Sequence, residues 1–200
     1  MRAEYLILGA VAILLYLGIY TQLNKTGKEK AEQLRPDNFQ VQLVAIEEAE
    51  QDYELNDCFC NRRKKVQTGS YALLIDGKQH PIGSFQFCEN KEITHLNLGY
   101  YDLFVVYQFA TCNSREARIF EYDWIAKRLS PIRFERANGV QQNNLNTFTE
   151  VGQTKSGYLT STTYDPSDED GFPITIKYWK FDHYARSFTL EKITKQHEIP

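Results

Sequence analysis

"SYALLIDGKQHPIGSFQF", Ser70 to Phe87, sets one apolar run, Tyr71–Ile75, before Asp76-Gly77 and a second run with Ile82, Phe85 and Phe87 after it. Asp-Gly between apolar runs is a strong short-range hairpin signal. Both central residues of a type I′ turn need positive φ, which glycine adopts freely and aspartate tolerates. Pro81 lacks a ladder donor, so the return strand is an edge strand or starts late. The stretch predicts an antiparallel pair with one face in a core.

The same logic extends in both directions. Upstream, "FQVQL" alternates Phe39, Val41 and Leu43 with Gln40 and Gln42, the period-2 pattern of a half-buried strand. Between them, Glu47–Asp57 carries six acidic residues and reads as a solvated loop or short helix. Downstream, "DLFVVYQF", Asp102–Phe109, is apolar on both faces, as expected of a central strand covered on each side. "RIFEYDW", Arg118–Trp124, puts Phe120, Tyr122 and Trp124 on one face and Glu121 and Asp123 on the other. "RLSPIRF" follows within a hairpin's reach, and Asn138–Asn146 forms a polar loop or strand connection. The last third repeats the rhythm with "GYLTSTTY", the acidic turn "DPSDEDG", "ITIKYWKF", a tight connection at "DHYARS" and "FTLEKI".

An internal duplication is visible at an offset of 59 residues. It matches Arg118–Ser130 with Lys177–Thr189, pairing Phe120 with Trp179, Tyr122 with Phe181, Asp123 with Asp182, Ala126 with Ala185 and Lys127 with Arg186. This resembles the strand-turn-strand rhythm of propeller blades, but two units cannot close a propeller of typically four to eight blades. An antiparallel β-sheet or two-sheet β-sandwich is the more economical expectation, with partial propeller-like blade repeats as the alternative. Thirteen Tyr and twelve Phe against one Met agree with a mainly β fold.

The N-terminus has a different character. Tyr5–Leu23 holds 19 positions without a charge. As a helix it would reach roughly 28 Å, close to the ~30 Å hydrocarbon core of a bilayer. Tyr5 and Leu23 mark the ends of a predicted transmembrane anchor, and Tyr20 sits where aromatic rings favour the interface. Small residues at the spacing of a signal-peptidase site occur only mid-span, at Ala10 and Ala12, so the segment reads as an uncleaved signal-anchor. The chain then divides into an anchor over 1–24, a charged tether over 25–38 that ends near Pro36, and a β-rich domain over 39–200. Lys25, Lys28, Lys30 and Arg35 after the span favour an inside domain by the basic-residue rule. An even cysteine count and a soluble part rich in Tyr, Thr, Asn and Gln favour the outside, and an extracytoplasmic domain on a single-pass membrane protein is the expectation adopted.

Cys58, Cys60, Cys88 and Cys112 are candidate disulfide cysteines. Cys58 and Cys60 are too close on an extended chain to pair easily with each other, so each would reach Cys88 or Cys112. Their one-residue spacing departs from Cys-x-x-Cys redox motifs and from ordinary zinc ligand pairs. Asp165–Gly171 imitates part of a calcium loop, but Pro166 and Lys177 stand where ligands are needed, and a polar turn is the better reading. His80, His95, His183 and His197 show no metal spacing, and no phosphate loop, nucleophile elbow or dinucleotide fingerprint occurs, so neither a catalytic residue nor a cofactor is assigned. Arg62–Lys65 reads as a solvated turn offset by the preceding acids. Tyr100, Tyr101, Trp124, Tyr178 and Trp179 are either core or a ligand platform, with core the expectation.

A net charge of −3 gives no nucleic-acid footprint. The expected partners are membrane lipid, through the N-terminal helix, and a protein or envelope polymer that the domain binds or scaffolds. A cysteine-dependent redox or metal role and a carbohydrate-binding module are the alternatives.

Overall fold

The computed structural model describes residues 22, 35, 39–52, 65–87, 91–98, 101–111, 114–135, 139–147, 149–165 and 173–197. The predicted span Tyr5–Leu23 lies outside them except for Gln22, and so do Cys58, Cys60, Cys88 and Cys112. Among the described residues no helix is long and apolar enough to cross a membrane.

Among the described residues fourteen strands form three sheets. The first sheet holds β1 (Val41–Asp52), β2 (Lys65–Ile75) and β3 (Lys78–Phe87) in that order. Asp76 and Gly77 have φ of 53° and 79°, as the two-residue turn demands, and Ile75 pairs with Lys78 across it. Pro81 sits in β3 at the sheet edge beside a bulge, where its missing donor costs no ladder bond on the open side. The expected acidic loop or short helix from Glu47 is instead strand as far as Asp52. Past a bulge at Ala45/Glu47, β1 stays paired with β2, and Glu47 and Glu48 are exposed on this edge strand. Gly69 permits this: a Cβ there would collide with the Glu47 carbonyl.

The second sheet contains β4 (Ile93–Leu98), β5 (Tyr101–Thr111), β6 (Ser114–Asp123), β7 (Arg128–Pro131) and, further along, β10 (Leu145–Thr147). Both β7 and β10 pair with β6, at opposite ends of that strand. The third sheet runs β11 (Gly152–Gln153), β12 (Leu159–Tyr164), β13 (Ile174–Asp182), β14 (Ser187–Gln196), β8 (Arg133–Glu135), β9 (Gln141–Gln142). Among the described residues all pairings are antiparallel except β14 with β8.

The three sheets stack with the second in the middle. Phe104 and Val106 of β5 and Phe120 and Tyr122 of β6 face the first sheet, packing with Tyr71, Ile75, Phe85 and Phe87. Leu103, Val105 and Tyr107 of β5 and Ala117 and Ile119 of β6 face the third, packing with Leu159, Trp179 and Phe188. The period-2 alternation of a strand thus feeds two separate cores. Each fully buried Leu or Phe contributes about 1.5–3 kcal/mol against exposure. The mainly β, antiparallel reading holds, and the described strands form three sheets where a single antiparallel sheet or a two-sheet sandwich was expected.

The 59-residue repeat is structural. Phe120, Glu121, Tyr122 and Asp123 pair with Pro131, Ser130, Leu129 and Arg128; Trp179, Lys180, Phe181 and Asp182 pair with Leu190, Thr189, Phe188 and Ser187, each shifted by the same 59 positions. Both hairpins turn through four residues whose last, Lys127 or Arg186, has φ of 48°. In each, the leading aspartate caps the turn. Asp123 Oδ1 accepts from the Ile125 and Ala126 amides at 2.9 Å, and Asp182 Oδ1 accepts from the Ala185 amide at 3.0 Å.

Candidate functional site

Two carboxylates are buried at one end of the middle sheet, on opposite faces. Asp102 stands opposite Tyr122 and so faces the first sheet; Glu121 stands opposite Leu103 and faces the third.

Asp102 is fully buried and collects three partners. Its Oδ1 lies 2.9 Å from Arg35 Nη2 and 2.6 Å from His95 Nε2, and its Oδ2 accepts from Trp124 Nε1 at 2.6 Å. Phe39 closes the site edge-on against His95, Phe104 and Trp124, at centroid distances of 5.1, 6.1 and 5.0 Å, and the Arg35 guanidinium lies 5.6 Å from the Phe39 centroid. Burying a lone carboxylate costs several kcal/mol, which these charge-assisted contacts offset.

Glu121, with 3% side-chain exposure, has looser company. Its Oε1 is 2.8 Å from His183 Nδ1 and its Oε2 is 3.6 Å from Arg186 Nε. Among the described residues neither Glu121 Oε2 nor His183 Nδ1 makes an aligned hydrogen bond, so His183 meets the acid by proximity and Arg186 supplies the cation. Arg186 is held from its other side, donating from Nη1 to Ser130 Oγ at 3.0 Å. Tyr101 stacks on His183 at 4.1 Å. Burial, and then the charges of Glu121 and Tyr184, push the Tyr101 phenol up, so it stays protonated at neutral pH.

His80 is the third histidine with a defined setting. It is buried, stands edge-on to Tyr122 at 5.2 Å, and its Nε2 has no hydrogen-bond partner among the described residues. Burial, with Lys78 nearby, lowers its pKa below the ordinary 6.5, so it packs as neutral imidazole.

The chemistry available is charge burial. Each acid is engaged by cationic or N–H groups of its own fold, and among the described residues no three His, Cys, Asp or Glu converge as a metal site. Trp124 and Trp179 are core residues, with Trp179 Nε1 donating to Ser161 Oγ at 2.9 Å. At the acidic turn, the Asp165 amide donates to the Pro173 carbonyl at 2.7 Å, and 166–172 lie outside the described residues, as do Arg62–Lys64.

The sequence reading missed both ion-pair sites. Asp102 heads a strand apolar on both faces, a signal that its carboxylate needs partners. Nothing in "RIFEYDW" distinguishes a solvated Glu121 from a covered one. No known protein family matches the chain, and no curated protein or solved structure matches it significantly.

Proposed function

We propose that this chain is a single-pass membrane protein, anchored by Tyr5–Leu23, whose extracytoplasmic β-rich domain acts by binding or scaffolding a protein or envelope polymer. The observation that carries this reading is the Arg35–Asp102 ion pair with the Phe39 ring beside it. Arg35, which lies between the apolar segment and the first strand, is held in the domain, as suits a domain displayed at a fixed attitude from its anchor. The acids and bases best placed for proton transfer are engaged in holding that end together, which favours binding over catalysis. The stacked sheets and the repeated hairpin favour a partial, blade-like repeat over a two-sheet sandwich. A carbohydrate platform built on Trp124 and Trp179 is disfavoured, because both rings are in the core.

Alkaline carbonate extraction of membranes, joined to labelling of intact cells with a membrane-impermeant thiol reagent, tests the reading. Retention in the pellet and labelling of intact cells only after reduction would support an exported, anchored domain with paired cysteines. Release into the supernatant would remove the anchor, and labelling only after lysis would reverse the orientation.

A further inference from the structure

The end of the domain that carries both ion pairs also gathers its exposed apolar turn tips. The Asp76 amide donates to the Gln40 carbonyl, Phe39 meets Trp124, and His183 meets both Glu121 and Tyr101. The Asp76-Gly77, Trp124–Lys127 and His183–Arg186 turns therefore lie around the point where Arg35 enters. Two of these turns are copies of one another, and their equivalent second residues, Ile125 and Tyr184, are 46% and 68% exposed. Lys127 and Arg128 stand exposed beside Ile125. Asp123 and Asp182 are turned back onto turn amides, Asp123 half-buried and Asp182 still exposed, as is Asp76.

We infer that this turn end docks on the surface of the membrane in which the chain is anchored, with Ile125 and Tyr184 entering the interface and Lys127 and Arg128 meeting anionic headgroups. The inference rests on the anchored reading above. Eleven residue steps separate Asn24, at the end of the apolar segment, from Arg35. They span at most about 36–40 Å extended, so Arg35 ties this end to the bilayer at short range. A tyrosine with an apolar body and polar tip suits the headgroup level, and apolar tips beside cations are the pattern of an interfacial contact.

The test reconstitutes the full chain in liposomes of phosphatidylcholine with or without phosphatidylglycerol. A photo-crosslinking p-benzoylphenylalanine is placed singly at position 125, 184, 15 or 146. Asn146 is exposed on β10, which pairs with the opposite end of β6, and Leu15 lies within the predicted span. Docking predicts lipid adducts at 125 and 184 several-fold above those at 146, increased by phosphatidylglycerol, with the increase lost in Lys127→Gln/Arg128→Gln. Adducts at 15 with none above background at 125 and 184 would overturn docking and leave the anchor standing. Absence of adducts at 15 would overturn both. Protein adducts in place of lipid at 125 and 184 in native membranes would assign the surface to a protein partner and overturn the lipid assignment.

Discussion

The hairpin of β6 and β7 and the first part of the hairpin of β13 and β14 have the same register, the same capped turn and the same left-handed fourth residue, yet they differ in what covers them. In both, the aromatic face packs on the sheet that precedes it in the chain: Phe120 and Tyr122 on the first sheet, Trp179 and Phe181 on the second. The opposite face is where they diverge. At the Glu121 position the third sheet closes over the side chain, which is 3% exposed beside His183 and Arg186. At the equivalent position Lys180 is 67% exposed and meets Glu191 at 3.2 Å in the open. Glu191 also accepts from the Tyr158 hydroxyl at 2.9 Å. One backbone device therefore carries an interior ion pair in the middle sheet and a surface one in the outer sheet. The cover, and not the strand, decides which.

The largest effect that would break this equivalence lies in the shared aromatic face. Trp179→Ala removes a buried ring and its bond to Ser161, and should cost about 3–5 kcal/mol in denaturant unfolding. A loss below about 1 kcal/mol would mean that the third sheet is not packed through this residue.

Next comes the divergent face. Glu121→Ala should destabilise by about 1–3 kcal/mol, because it leaves His183 and Arg186 clustered without their carboxylate. Lys180→Ala, at the matching position, should give no resolvable change in the same experiment. Equal effects would erase the distinction.

A smaller and sharper contrast is at the turns. Lys127 and Arg186 share φ of 48°, a region costly for side chains with a Cβ. Lys127→Gly should raise stability by up to about 1 kcal/mol once the added chain entropy of glycine is subtracted. Arg186→Gly should lower it, because the relief of strain is outweighed by loss of the contacts to Ser130 and Glu121. The opposite signs are readable as shifts in the unfolding midpoint.

The smallest effect is a pH slope. His80 is buried with its pKa lowered from 6.5, so below that value the unfolded chain binds the proton more readily than the folded one. The His80 contribution should be fully present above pH 6.5 and be lost as pH falls from 6.5 through the depressed folded value. Thermal unfolding of the wild type and of His80→Gln across this range checks it. The wild type should lose more stability than the variant on acidification, and parallel curves would argue against a neutral buried imidazole.

Much of this fold was legible because its signals are local. Asp76-Gly77 announced its turn, Pro81 its edge strand and Asp102–Phe109 its two-sided cover, each from the steric or hydrogen-bonding needs of a few neighbouring residues. The 59-residue offset was legible for the same reason, since capped turns keep Asp, Ala and a basic residue in fixed places. The number of sheets was not, because stacking depends on contacts between residues far apart in the chain. The ion-pair sites failed for that reason too. Arg35 and Asp102 are distant in sequence, as are Glu121 and His183, and alternation in "RIFEYDW" is equally consistent with water or a third sheet over Glu121. The histidines looked scattered since their spacing is irrelevant to contacts made across layers.

The central claim is that cover on both faces of the middle sheet turns a repeated surface position into an interior ion pair. A double-mutant cycle with Glu121→Gln and Arg186→Gln, run beside one with Lys180→Gln and Glu191→Gln at low and high salt, tests it most directly. The account predicts a favourable coupling of at least about 1 kcal/mol for Glu121 with Arg186 that persists in high salt, and for Lys180 with Glu191 only a weak coupling at low salt that high salt abolishes. Couplings that salt screens alike, or a vanishing term between Glu121 and Arg186, would contradict it.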